Sequence, residues 1–191
     1  LESLPLFPLH AVLFPEGPLK LRIFEPRYLD MIGRCMREGT VFGVALIVQG
    51  VEAGGPARTA RVGTTARIVD FEKLPDGLLG ITAVGERRFS ISSSDRQPDG
   101  LNVGQVEWLP PEPSAPVPSE YSILAEMLRQ AFPQVSAVYG DMTPRYDDAV
   151  WVGMRLAELL PLPPGERQQC LETTDSIERL KLIRDRLHLR Q

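Results

Sequence analysis

Five prolines fall within nine residues, at Pro110, Pro111, Pro113, Pro116 and Pro118. Proline has no backbone N–H and a fixed φ, so neither a helix interior nor a central strand passes through such a stretch. Segment 110–118 reads as a semi-rigid extended linker, and the chain must fold on either side of it. Residues 1–109 carry strand-like patterns and residues 119–191 carry helical ones. That order is typical of an α+β architecture, with a β-rich subdomain over 1–109 and a helical subdomain over 119–191.

Before the prolines the pattern gives about seven short strands and one helix. Leu4 to Leu9 mixes Leu and Phe with Pro5 and Pro8, which suits an edge strand. Pro15-Glu16-Gly17-Pro18 is a turn. Val41 to Gln49 is an unbroken apolar run fit for a strand buried on both faces, and Gly50 to Arg58 reads as a mobile loop. Thr59 to Phe71 and Leu78 to Val84 flank the turn Leu74-Pro75-Asp76-Gly77 as a hairpin. Gly85 breaks the pattern, Arg88 to Ser92 resumes it, and Asn102 to Leu109 is the last strand. Close spacing with Gly and Pro turns points to a closed or nearly closed sheet. Beyond the prolines, Ser119 is placed to cap a helix over Ser122 to Gln130. A second runs to Leu160 from Pro144 or Asp147, a short third spans Glu166 to Glu172, and Asp175 caps the last.

The densest local signal is Arg22-Ile23-Phe24-Glu25-Pro26-Arg27-Tyr28. Leu19 to Phe24 alternates apolar and basic residues, as a strand with one wet face does. Pro26 suits the first turn of a helix, where a missing N–H costs nothing. Glu25 beside the helix start is favoured by the positive end of the helix. Tyr28, Met31, Ile32, Cys35 and Met36 follow at helical spacing until Gly39. Glu25 and Pro26 thus read as a structural turn, with aromatic and charged side chains gathered at the corner.

Several chemistries are excluded. Only three residues are lysines (Lys20, Lys73, Lys181) and none follows a glycine, so there is no phosphate-cradling loop. His10 and His188 stand at opposite ends, and no zinc-ligand or nucleophile-elbow spacing occurs. No cofactor and no metal is expected. His10 with Glu25, or Asp147 with Asp148, are weak acid–base pairs, better explained as a loop histidine and a helix start. A net charge of −4 counts against nucleic acid and anionic membrane as partners. Two cysteines without CxxC spacing suit a reducing, cytoplasmic setting, and no apolar run reaches the roughly 20 residues of a membrane span.

Leu4-Pro5-Leu6-Phe7-Pro8-Leu9, Val12-Leu13-Phe14-Pro15 and the stretch ending Phe24-Glu25-Pro26-Arg27-Tyr28 closely resemble the N-terminal domain of ATP-dependent Lon proteases. Val62-Gly63-Thr64, Leu74-Pro75-Asp76-Gly77, Gly85-Glu86-Arg87-Arg88-Phe89 and Gln168 to Glu172 with Arg179-Leu180 match its later landmarks in order. The resemblance implies a PUA-like β-barrel, or pseudobarrel, with one packed helix, followed by a helical subdomain. In Lon this domain engages unfolded substrate, while separate ATPase and Ser–Lys protease domains do the work. Those domains are not among these 191 residues. The chain is therefore expected to be non-catalytic and similar to small stand-alone bacterial proteins of this type. Cereblon-type proteins carry a related domain as a binding module.

The leading expectation is a polypeptide-binding module, an adaptor in protein quality control that meets unfolded or extended chains and a protease or chaperone. Phe24, Tyr28 and Phe89 are its candidate apolar contacts, with Arg27 and Arg88 at the polar rim. Core packing is the competing reading for Phe24 and Phe89, since strand aromatics usually face a core. Three alternatives stay open: an RNA-binding PUA-like protein, a small-molecule-binding enzyme of unknown reaction, or a purely structural or oligomerising protein.

Overall fold

The computed structural model describes residues 1–188; residues 189–191, at the end of the expected helical subdomain, lie outside it. The elements run β1 (Glu2–Leu9), β2 (Pro18–Ile23), α1 (Pro26–Glu38), β3 (Phe42–Gly50), β4 (Ala57–Thr59), β5 (Val62–Lys73), β6 (Leu79–Arg96) and β7 (Asn102–Trp108). Four helices follow: α2 (Ser122–Val135), α3 (Ala149–Leu159), α4 (Pro164–Glu172) and α5 (Ser176–His188). Contacts divide the chain into two compact units, Leu1–Pro110 and a second that starts at Pro111.

In the first unit the strand order is β1-β7-β6-β5-β3-β4, and β1 also pairs with β3, so the pairings return to their start. β2 lies off this path and pairs with β6. β1 is not the edge strand its prolines suggest. It pairs with β7 over Glu2–Leu6 and, in parallel, with β3 over Leu6–Leu9. The two pairings are staggered, so Pro5 has a neighbour only on the β7 side and Pro8 only on the β3 side. Each proline sits where one flank of the strand asks for no N–H.

Gly85 does not end a strand either: β6 runs unbroken for 18 residues. A Cβ at Gly85 would strike the Phe14 carbonyl. The glycine is there because another backbone passes against it, which strand periodicity alone does not reveal. The segment read as a mobile loop contains the end of β3 and the short β4, which pair with each other. The main core gathers Phe7, Leu9, Ile23, Tyr28, Met31, Ile32, Phe42, Val44 and Ile81, with a smaller cluster of Leu4, Leu6, Phe89 and Val106.

Helix α1 obeys its sequence signals. Pro26 occupies the first turn, Gly39 closes the helix in the left-handed region at φ 66°, and its N–H reaches the Cys35 carbonyl. Tyr28, Met31, Ile32 and Cys35 are buried, while Met36 turns outward. Burial of each large side chain on that face is worth about 1.5–3 kcal/mol.

The second unit is built around α3, in which every residue from Ala149 to Ala157 except Val150 is buried. The Asp148 carboxylate caps it by accepting from Val150 N at 3.1 Å, and Asp175 caps α5 through Ile177 N at 2.8 Å. Ser119 does not cap α2; it begins a short 3₁₀ turn that leads into that helix. The proline segment is extended and hydrogen-bonds into this unit, Ala149 N donating to Ala115 O at 2.7 Å and Val117 N to Asp147 O at 3.1 Å. Arg179, fully buried, fixes it further. Its guanidinium donates to both oxygens of Glu112, at 2.8 and 2.5 Å, to the Cys170 carbonyl at 2.8 Å and to the Thr173 carbonyl. Such a satisfied, bidentate buried pair is costly to halve.

Glu112→Ala leaves that guanidinium without its counter-charge and is expected to cost about 3–5 kcal/mol. Gly85→Ala forces the Phe14 backbone aside at about 1–3 kcal/mol. Urea midpoints of the two variants check both values.

Candidate functional site

The corner between β2 and α1 is held by one side chain. Arg27, 6% exposed, donates from Nε to the Glu25 carboxylate at 2.9 Å and from Nη1 to the Gly100 carbonyl at 2.7 Å. Glu25 is the residue just before the helix; its carboxylate goes to Arg27, and its carbonyl accepts from Tyr28 N and Leu29 N. The Arg27 guanidinium lies 4.6 Å from the centre of the Tyr28 ring, which stacks at 3.9 Å on Phe7 of β1. Burial, opposed by Arg27, pushes the Tyr28 hydroxyl above its usual pKa, so it stays neutral.

Over this corner opens a hollow of about 270 Å³. Its apolar wall is Phe7, Leu9, Leu21, Ile23 and Tyr28, with Phe24 beside them, and Lys20, Arg22, Glu25 and Glu52 supply its charges. Phe24, just past the end of β2, is 55% exposed, and its ring stands beside the hollow. The Glu52 carboxylate accepts from His10 N at 2.7 Å, and Arg22 pairs with Asp76. Lys20 is exposed.

The structure brings together Phe24, Glu25, Pro26, Arg27 and Tyr28, and separates them by role. Phe24 faces solvent, Tyr28 forms wall at 3% exposure, and Arg27 is the bolt of the corner rather than a rim cation. The expectation for Phe89 and Arg88 as surface contacts is corrected. Phe89 is fully buried because Gly43 and Gly63 leave room for it: a Cβ on Gly43 would stand 2.8 Å from its ring, and one on Gly63 2.6 Å. Arg88 is 5% exposed in the same strand. Phe7, Leu9 and Leu21 were not singled out from sequence; their strand alternation signals burial and does not say that the burial borders a hollow.

No acid–base pair forms at the corner, since His10 meets Glu52 through its backbone and Glu25 is taken by Arg27. Among the described residues no cluster of His, Cys, Asp and Glu is placed to hold a metal ion, and no helix is long and apolar enough to cross a membrane. Cys35 and Cys170 are buried free thiols whose pKa burial raises, so they carry little reactive thiolate at neutral pH.

A chain with this α/β fold and these corner residues matches the substrate-binding domain of ATP-dependent protease La (LON) over residues 3–188. It belongs to that family. It is 27% identical over 190 residues to Lon protease 1 of Syntrophobacter fumaroxidans, covering 95% of this chain and 23% of the relative. It is 28% identical over 113 residues to protein cereblon of Xenopus tropicalis, covering 57% of this chain and 24% of that protein. It therefore spans about a quarter of the curated relatives it matches. A solved Lon N-terminal domain protein from Xanthomonas campestris aligns at a TM-score of 0.80 and 41% identity, over 95% of this chain and 96% of that one. The N-terminal domain of a Mycobacterium avium complex Lon protease shares the fold at a TM-score of 0.68 and 19% identity, over 96% and 97% of the chains.

Arg27→Ala is expected to lose about 2–4 kcal/mol, because Glu25 loses its cation and the Gly100 carbonyl keeps only the longer bond from Arg96 Nε at 3.3 Å. Arg27→Lys keeps the charge but not the two-way fork, and recovers only part of the loss. Thermal unfolding of the three proteins orders them wild type, lysine, alanine.

Proposed function

We propose that this chain is a non-catalytic module that holds unfolded or extended polypeptide in the hollow over the β2–α1 corner. The observation that carries the reading is the exposed Phe24 ring beside a hollow walled by Phe7, Leu9, Leu21 and Tyr28. Native surfaces rarely offer a large aromatic to such a hollow; unfolded chains do, and they expose the apolar side chains that fit it. The family supports the reading, since its matching domain is described as substrate-binding. We read the returning ring of strand pairings as a PUA-like pseudobarrel, with the site in the β-rich part (1–109), the proline segment at 110–118 and the helical part from 119.

Phe24 and Tyr28 are the contacts of this proposal, and Glu25, Pro26 and Arg27 hold them in place. The module acts in the cytoplasm, handing polypeptide to a protease or chaperone. Arg27 and Arg88 being buried removes two of the cations an RNA surface would use, and the net charge of −4 disfavours that alternative further.

Reduced, carboxymethylated α-lactalbumin is expected to bind the immobilised protein at least about tenfold more tightly than the native, disulfide-bonded form. Phe24→Ser should remove about tenfold of that affinity while leaving the unfolding midpoint unchanged, as expected for losing one aromatic contact. Equal binding of the two forms would refute the proposal.

A further inference from the structure

Four consecutive residues of β2, Lys20 to Ile23, line the hollow. β2 pairs with β6 in an unshifted antiparallel register from Pro18 opposite Val84 to Ile23 opposite Leu79. Just before it, Gly85 N donates to Gly17 O at 2.9 Å, which makes residues 17 and 85 a hydrogen-bonded pair. Such pairs alternate along an antiparallel ladder. Leu19, Leu21 and Ile23 therefore turn their N–H and C=O toward β6, while Pro18, Lys20 and Arg22 turn theirs away. The other flank of β6 agrees: Leu74 N donates to Leu78 O at 2.8 Å, so even-numbered β6 residues serve β5 and odd-numbered ones serve β2. Pro18, which has no N–H, sits at an outward position, where none is needed.

β2 has no strand on that outward side, and among the described residues none bonds to the backbone of Lys20 or Arg22. β1 is also without a strand partner on one flank past Leu6, and its Phe7 and Leu9 line the same hollow. A second open edge, on β5 beyond Ala66, is blunted in ways that β2 is not. The β5 ladder is bulged between Ile68 and Asp70, and Phe71 N is taken by the Asp70 carboxylate at 2.8 Å.

We infer that β2 accepts an added strand: an extended, neutral-to-acidic polypeptide segment pairs with the outward backbone of Lys20 and Arg22 and drops alternate apolar side chains into the hollow. This rests on the polypeptide-binding reading above and gives it a geometry. The occupant is a different chain rather than a second copy of β2, because pairing β2 with itself would bring Lys20 and Arg22 against the same two cations. Arg22 is already engaged by Asp76. Lys20 is thus the cation available to a carboxylate on the solvent side of the bound segment.

The test uses Lys20→Pro, which removes one outward N–H and none that β6 needs, with Lys20→Ala as its control. The probes are carboxymethylated α-lactalbumin and an eight-residue acetylated peptide of alternating valine and serine with one central aspartate. Two further versions of the peptide are N-methylated at alternate residues, in either phase. Lys20→Ala is expected to lose the few-fold that an exposed carboxylate contact supplies, and Lys20→Pro about tenfold or more beyond Lys20→Ala. One N-methyl phase should abolish peptide binding and the other retain it. Lys20→Glu should shift preference toward a lysine-bearing version of the peptide. If Lys20→Pro holds lactalbumin as wild type does, or the two N-methyl phases bind wild type equally, strand addition is wrong and the binding reading stands. If wild type does not hold unfolded lactalbumin at all, the binding reading itself fails. Should Lys20→Pro not fold, as seen by circular dichroism, the N-methyl pair on wild type decides.

Discussion

The buried guanidinium of Arg27 ties its own corner to a turn 73 residues further along the chain. It holds the Glu25 carboxylate across the β2–α1 corner, the Gly100 carbonyl in the turn between β6 and β7, and the face of Tyr28, whose ring rests on Phe7 of β1. A fixed planar fork can serve two acceptors in two directions while stacking on an aromatic ring; a lysine ammonium cannot do all three. The wall of the hollow is Tyr28 and Phe7, so the side chain that fixes the corner also fixes the hollow's shape. The hollow is consequently preformed, which lowers the ordering cost of whatever enters it.

The second unit uses the same device in another place. Arg179 takes both oxygens of Glu112 and two backbone carbonyls, and so turns a proline-rich stretch into a fastened part of the helical unit. Its neighbour α3 is buried around most of its circumference, which is why all its residues but Arg155 and Glu158 are apolar and no polar stripe runs along it. Each unit thus has an apolar core and a buried arginine held by a glutamate and by backbone carbonyl oxygen, Arg27 in the first and Arg179 in the second.

The boundaries of α1 were legible because three independent local signals, Pro26, the apolar spacing and Gly39, agree with the tertiary outcome. β1 and Gly85 were misread for a common reason. Prolines and glycines look like strand breakers locally, whereas here they answer to neighbours distant in sequence: staggered partners in one case, the Phe14 backbone in the other. At the site, Phe24 and Tyr28 were visible as a cluster, but nothing in the sequence says that Phe89 lies over Gly43 and Gly63 or that Arg27 reaches Gly100, 73 residues away. The open edge of β2 was invisible as well, because edges are a property of topology, not of pattern.

On the proposed function, unfolded polypeptide sits against the β2–α1 corner and nowhere else on the first unit. Hydrogen exchange followed by mass spectrometry, with and without carboxymethylated α-lactalbumin, tests this directly. New protection is expected only in peptides covering residues 7–9, 18–24 and 52–53, with β5 and β7 unchanged. Protection centred on the β5–β6 hairpin, or no change in residues 18–24 while lactalbumin is bound, would contradict it.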